Sequence, residues 1–576
     1  MNNAAHWVCA PPRPREAEHL AEALGISPVT AQVLLNRGID SPTAGRAFLR
    51  PRLDDLHEPW TLPGITAAVQ RILTAVAQGE DIVIYGDYDV DGISATALLL
   101  LCLRQLGASV SYYLPDRQDE GYGLNPGAVA LLAGRGTRLI VTVDCGINAV
   151  AAVAQARQHR VDVIITDHHE PGPETPPAVA IVNPKLPSSA YPFRELAGAG
   201  VAFKLAWALA KSAPTGLRPD RAFEDFLLDA LCFAGLGTIA DVVPLVGENR
   251  ILAHFGLAAL SRSPRVGLAA LRRAACIEGQ ELTAYDVAFK LAPRLNAAGR
   301  LGTADNGVKL LTTADAAWAE EIAQHLDREN SRRRALQDRI VKEARPRAMA
   351  EVARHRKAIV LEGTDWHVGV IGIVASRLVE EFARPIVLIA CSGEEGHGSA
   401  RSIEGFHMFE ALRRCAEVLS SYGGHARAGG LRLARQAIPR FRELFHATAE
   451  AQLREEDLVR RIRCDAEVPL AAITPALWRE VQMLEPFGEQ NLPPTFAARG
   501  LDVVSTVRRV GTAGEHLAFW VRQGDVARRA VAFGRGDAAE MLAAAKHCSL
   551  AFRLSANRRF SEEVELMVCD FTVDSE

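Results

Sequence analysis

The chain of 576 residues has ten cysteines but no Cys-x-x-Cys pair. That spacing argues against zinc and iron–sulfur sites and for buried thiols in a reducing compartment. It has no apolar run of membrane length. The longest is near "ALLLLCL", residues 97–103, far short of the ~18 needed to span a bilayer. The first residues, "MNNAAHWVCAPPRPRE", lack a hydrophobic signal core. A cytoplasmic protein without a membrane partner is expected. It also lacks an excess of positive charge: the formal net charge is −4. A nucleic-acid partner must therefore be met by local patches. Solenoid repeats and low-complexity tracts are absent too. What remains is an ordinary globular composition, 48% hydrophobic and 23% charged, long enough for about four domains.

Residues 1–55 carry short helical patterns. From residue 56 the chain alternates. "DIVIYGD" (81–87), "ASVSYYLP", "RLIVTVD" (138–144), "VDVIITD" (161–167) and "AVAIVN" read as strands, with helical stretches between the first four. "ISATALLLLCLRQLG" (93–107) ends in Gly107, and "NPGAVALLAGRG" starts with Asn125 as a cap and Pro126 in its first turn. Such alternation predicts a parallel sheet covered by helices, with function outside the carboxyl ends of its strands. This α/β region runs to 312, its later part helical from about 195. A long helical pattern, 313–357, holds Pro346 as a kink candidate. A second α/β region spans 358–457, and short alternating runs over 458–576 predict a small β-barrel.

Three strands end in acid. Asp87, Asp89 and Asp91 follow the first, Asp144 closes the next, and Asp167-His168-His169 closes the third. Ionised carboxylates this close need counter-charge, or their pKa values rise. A calcium loop of EF-hand type fails, because the twelfth residue from Asp87 is Leu98 rather than a bidentate Glu. A solvated aspartate-rich turn explains the first cluster alone, but not all three. Carboxylates with imidazoles and no thiolates suit Mn2+ or Mg2+. Two such ions ~3.5–4 Å apart can activate water and stabilise a leaving oxygen in phosphoryl transfer.

"GDYDVDG", "VDCG", "TDHHE" and "GLGTIADVVPL" resemble, in order, the motifs of the DHH phosphoesterase family. "LNAAGRLG", "WHVGVIGIVASRL", "GSARS" and "GGHARAGG" continue the resemblance, which runs from about residue 50 to the end. It implies two divalent ions, Mn2+ or Mg2+, held by Asp87, Asp89, Asp91, Asp144, His168 and Asp241. Asp144 is the bridging carboxylate, and Asp87 is a ligand or its immediate support. His169 acts at the scissile phosphate, and Asp167 orients a histidine ring.

The resemblance also names 56–312 as a DHH catalytic domain, 313–357 as a connecting helix, 358–457 as a DHH-associated domain and 458–576 as an OB-fold. Substrate contacts are expected at Arg117 and Tyr122, at Arg294, Asn296 and Arg300, at Ser399 and Arg401, and at His425. Read without it, Tyr122 is equally a loop residue packed on its own domain, and "GGHARAGG" is a helix stop and turn. Residues 497–560 hold eleven Lys/Arg against five Asp/Glu. They also carry Phe519, Trp520, Phe533 and Phe552, a mixture that suits single-strand binding. The implied function is 5′→3′ exonucleolytic hydrolysis of single-stranded DNA to mononucleotides, in repair and recombination. The implied partners are single-strand-binding protein and a helicase, with the chain itself a monomer. A small-molecule phosphoesterase needs neither the connector nor the basic segment, and a silent scaffold would lack some of the ligands.

Overall fold

The computed structural model describes residues 5–116, 120–121, 123–212, 221–301, 304–556 and 564–573. By its contacts the chain divides into two units. One comprises Arg37–Asn330 and Val481–Pro493; the other comprises Met1–Asn36, Ser331–Glu480 and Pro494–Glu576.

The first unit is built on a five-stranded parallel sheet. Its spatial order is Val110–Tyr113, Ile82–Tyr85, Leu139–Val143, Asp162–Thr166, Ala180–Val182. Ile82–Tyr85 and Leu139–Val143 are buried at every position, as continuous apolar runs between two helical layers must be. The first strand in sequence lies between the second and third. The order therefore reverses at Ile82–Tyr85, and a crevice opens beyond the carboxyl ends of that strand and Leu139–Val143. The two strands deliver Asp87 and Asp144 to it. Asp89 caps the next helix, Val90–Gln105, accepting from the Asp91 and Gly92 N–H groups. That helix is buried almost all round, packed beside Gly198–Ser212 and Arg221–Ala240. Asn125 caps Pro126–Gly134 as expected.

In the second unit a five-stranded mixed sheet runs Ser421–Gly424, Ala428–Ala434, Glu395–Arg401, Ile386–Ser392, Ile359–Gly363. "GGHARAGG" lies on the hairpin of its first two strands, so it is neither a helix stop nor a simple turn. Further on, strands Phe496–Val503, His547–Ala556, Val564–Val573, Val526–Ala532 and His516–Gln523 neighbour one another in turn. The last pairs back to the first through Asp502–Arg522 and Val503–Val521, closing a five-stranded barrel. His6–Cys9 pairs in parallel with Arg461–Cys464, an element the sequence did not announce.

The long helix is Ala316–Ala353 and contains Pro346. Among the described residues no helix is long and apolar enough to cross a membrane.

Candidate metal centre

Seven carboxylate and imidazole groups converge at the switch point. Ligand atoms of Asp87, Asp89 and Asp144 lie within 4.8 Å of one another, as do those of Asp91, His168 and Asp241, and those of Asp144, His168 and His169. Asp144 and His168 each belong to two of these groups. His168 Nε2 lies 3.1 Å from Asp144 Oδ1 and 3.5 Å from Asp241 Oδ2, yet hydrogen-bonds to neither.

The close approach needs small neighbours. A Cβ at Gly92 would fall 2.7 Å from the Asp87 Cβ, and one at Gly198 would fall 2.6 Å from Asp144 Oδ1. A Cβ at Gly237 would collide with Asp91 Oδ1. The backbone is strained where the ligands are aimed. Asp144 has φ 60°, and Val242, beside Asp241, has φ 61°. The left-handed region is unusual for any non-glycine residue and costly for a β-branched one.

The electrostatics show unbalanced negative charge. Burial, then Asp91, Asp89, Asp241 and Asp87, hold Asp144 well above the usual carboxylate range. Burial, with Asp91 and Asp89, pushes Asp241 up to about 9. Burial and Asp89 raise Asp91 to about 7, against the N–H groups of Ala199 and Gly198 that donate to it at 2.9 and 2.6 Å. Burial and His169 lower His168 to about 3, which leaves its imidazole neutral with a lone pair to give. A carboxylate cluster that protein cations do not neutralise, with a neutral buried imidazole among it, fits hard or borderline divalent cations.

Asp167 does a different job. Its Oδ1 accepts from the His168 and His169 N–H groups and lies 2.7 Å from His169 Nδ1, while Oδ2 accepts from Ile147 N–H. Burial alone would raise it, but the hydrogen bond and charge of His169 hold it below the usual range. Burial would lower His169, but the bond to Asp167, with Asp87 and Asp91 nearby, raises it. His169 is thus oriented and biased toward the protonated form.

The other expected residues fall out differently. Arg117 and Tyr122 lie outside the described residues. Arg294 is buried and donates to Asp327 Oδ1 at 2.9 Å, Lys290 O at 2.5 Å and Ala274 O at 3.1 Å. Its guanidinium is committed inside the protein, as a brace between helices rather than a substrate contact. Asn296 and Arg300 are four apart on Ala292–Leu301, so they share its half-buried face. In the second unit Arg401 donates to Ser399 Oγ and Ser376 Oγ, both at 3.2 Å. A Cβ at Gly372 would meet that pair at 2.9–3.0 Å, so "VGVIGIVAS" supplies the space they occupy. His425 is exposed on its hairpin, and its Nδ1 accepts from Arg427 N–H.

Sequence reasoning missed Gly198, Ala199 and Lys185. The first two give Asp91 its N–H cradle, and Lys185 adds positive charge near Asp241 and His168. For Gly198 and Ala199 the available signal was the small-residue run "AGAG" (197–200) at the start of a helix. Of the four barrel aromatics, Phe519 and Phe552 are core, whereas Trp520 and Phe533 are 40% and 58% exposed.

Clustered carboxylates and imidazoles at the carboxyl end of a parallel sheet define a metal-dependent phosphoesterase centre of DHH type. Residues 81–234 match the DHH family, N-terminal domain, residues 355–451 the DHHA1 domain, and residues 464–570 the RecJ OB domain. The single-stranded-DNA-specific exonuclease RecJ of Bacillus subtilis is 39% identical over 570 residues, 98% of this chain and 71% of that one. The same-named protein of Thermus thermophilus is 37% identical over 544 residues, 94% of this chain and 75% of that one. The crystal structure of Thermus thermophilus RecJ in complex with Mn2+ superposes with a TM-score of 0.84 at 34% identity, covering all of this chain and 81% of that one. Its Mg2+ complex gives 0.79 at 33% identity, covering all of this chain and 80% of that one. The chain belongs to the RecJ family of single-stranded-DNA-specific exonucleases.

Proposed function

We propose that this protein hydrolyses single-stranded DNA from its 5′ end to mononucleotides, using two divalent ions, Mn2+ or Mg2+. The observation that carries this is the convergence of Asp87, Asp89 and Asp144 beside Asp91, His168 and Asp241. The first trio would hold one ion and the second the other, with Asp144 as the carboxylate they would share. When bound, the ions activate a water and neutralise charge on the reacting phosphate and leaving oxygen. The protein's own groups do the rest. Asp167 fixes the His169 ring and keeps its proton, so His169 donates to a phosphate oxygen. Asn296 and Arg300 contact the strand from their shared helix face. Ser399 and Arg401 bind a terminal 5′-phosphate through charge-assisted hydrogen bonds, and His425 donates to the backbone. Arg117 and Tyr122 are assigned to the DNA end by family motif alone.

The closed C-terminal barrel holds the strand by stacking on exposed aromatics. A helicase that unwinds duplex, and single-strand-binding protein that coats the product, are the expected partners of a monomer working in the cytoplasm in repair and recombination. Degradation of 5′- and 3′-labelled single strands and duplexes, with and without Mn2+, tests the proposal. Mononucleotides released first from the 5′ end of single strands, only with metal, are expected. Metal-independent release, or release from the 3′ end, would reject it.

A further inference from the structure

Thirteen residues within the C-terminal third of the chain, Val481–Pro493, "VQMLEPFGEQNLP", cluster with the catalytic unit. Their flanks on both sides, up to Glu480 and from Pro494, cluster with the other unit. The segment is held from below by Arg250, a buried arginine of the helix Gly247–Arg262. Arg250 Nη1 donates to Leu484 O at 2.9 Å, and Nη2 donates to Glu485 O at 2.8 Å and Met483 O at 3.3 Å. Its guanidinium also lies 3.8 Å from the centre of the Phe48 ring. Asn491 is fully buried and closes the segment on itself, donating to Leu484 O at 2.9 Å and Pro486 O at 2.8 Å. Gly488 and Asn491 exchange backbone bonds at 3.0 and 3.1 Å. The result is a rigid strap.

The strap bears on the turn that follows Asp241. Leu245 N–H donates to Glu489 O at 2.9 Å. A Cβ at Gly488 would fall 2.6 Å from Leu245 Cδ1 and 3.0 Å from Cγ, so the two are in close contact now. Asn249 also ties the turn, donating to Pro244 O at 3.1 Å. Between these ties and Asp241 sits Val242 in the left-handed region. A β-branched residue stays there only where its surroundings over-determine it. Released, it relaxes toward negative φ and swings Asp241 away from Asp91 and His168.

We infer that the strap Leu484–Asn491 is a positioning element for Asp241, and so for the ion site that Asp91, His168 and Asp241 form, which rests on the two-ion reading above. Gly488, Asn491 and Arg250 touch no reacting group. They act through Leu245 and the strained turn.

Gly488→Ala drives a methyl into Leu245 without touching a carboxylate. Asn491→Asp keeps the side chain's shape but loses both donors, freeing the strap from within. Both variants and the parent are titrated with Mn2+ by calorimetry and by electron paramagnetic resonance, with thermal melts as a control on folding. The parent binds two ions. Each variant is expected to keep one ion at parental affinity and to bind the other about tenfold or more weakly, within the ~10–100-fold range seen for residues that support metal ligands. The coupled two-ion signal is expected to fade. The kcat falls while the KM for DNA holds. Adding Leu245→Ala to Gly488→Ala makes room for the methyl and restores the second ion. Two ions bound at parental affinity in folded variants, equal weakening of both, or no relief from Leu245→Ala would each overturn the inference. A parent that binds fewer than two ions would instead count against the two-ion reading itself.

Discussion

Asp144→Asn separates the chemistry of the centre from its fold. Asp144 is 2% exposed, and its carboxylate is held well above the usual range by burial and four neighbouring aspartates. In metal-free protein that carboxylate is a liability. Its replacement by a neutral amide removes like-charge repulsion, and asparagine tolerates the φ of 60° better than any residue but glycine. Removing that charge relieves the repulsion, so the metal-free melting temperature is expected to rise at pH 8. Function moves the other way. Losing one preorganised charge-stabilising contact costs ~2.7–4 kcal/mol in other active sites, and Asp144 stands in two of the candidate ligand groups. A loss of at least about a thousandfold in Mn2+-dependent hydrolysis is expected. Single-turnover hydrolysis of a 5′-labelled oligonucleotide measures the loss, and calorimetric melts with chelator and with Mn2+ measure the stability. The melting temperature should rise in chelator and cease to respond to Mn2+. Activity within about tenfold of the parent in a folded variant, or a lowered metal-free melting temperature, would refute the bridging role.

Arg401→Ala should cost about ten- to a hundredfold on 5′-phosphorylated DNA, from the ~1.5–3 kcal/mol of a hydrogen bond to a charged group, and much less on 5′-hydroxyl DNA. Equal losses on both ends would remove Arg401 from end recognition. Trp520→Ala should weaken single-strand binding roughly five- to hundredfold, since stacking is worth ~1–3 kcal/mol per base, with little change in melting temperature. Phe519→Ala, in the barrel core, should instead destabilise by about 3–5 kcal/mol; unchanged DNA affinity in folded Trp520→Ala would place the strand elsewhere. Metal-free stability should fall as pH rises from about 6 to 9. Asp91 and Asp241, raised to about 7 and about 9, hold protons in the folded state that the unfolded chain has released. Saturating Mn2+ should flatten that slope and add about 2.7 kcal/mol at a hundred times its Kd, and a stability that climbs over this range without metal would contradict the charge imbalance.

The strand ends were legible because buried parallel strands are continuous apolar runs, and a charge that stops such a run stands out. Asp87, Asp144 and Asp167 needed nothing more. The support around them was not legible. The N–H groups that cradle Asp91 come from 107 and 108 residues away, on residues whose contribution is their smallness. Arg294 was expected at the substrate from the family resemblance alone, and nothing in the spacing reveals the partner Asp327 at 33 residues' distance. Barrel aromatics were readable in principle: alternation along "HLAFWVR" puts Phe519 inward and Trp520 outward.

Domain boundaries drawn from sequence separate the strap from the turn it is inferred to support. "LEPFGEQNLPP" has the proline, glycine and polar content of a linker, and composition alone assigns it to the C-terminal segment. Its partner Arg250 lies 234 residues upstream at one of its bonds, and only the folded chain brings them together. A cut near residue 458 therefore removes two things at once: the barrel that holds the strand, and the brace on the turn behind Asp241. Loss of activity in such a truncation would say nothing about DNA binding by itself. A cut after Pro493 keeps the strap's sequence but strips the barrel strands from Phe496 onward. Comparing the two truncations for Mn2+ stoichiometry divides the roles. The shorter chain should lose the Asp241 ion site, and the longer one should keep it while losing affinity for single strands.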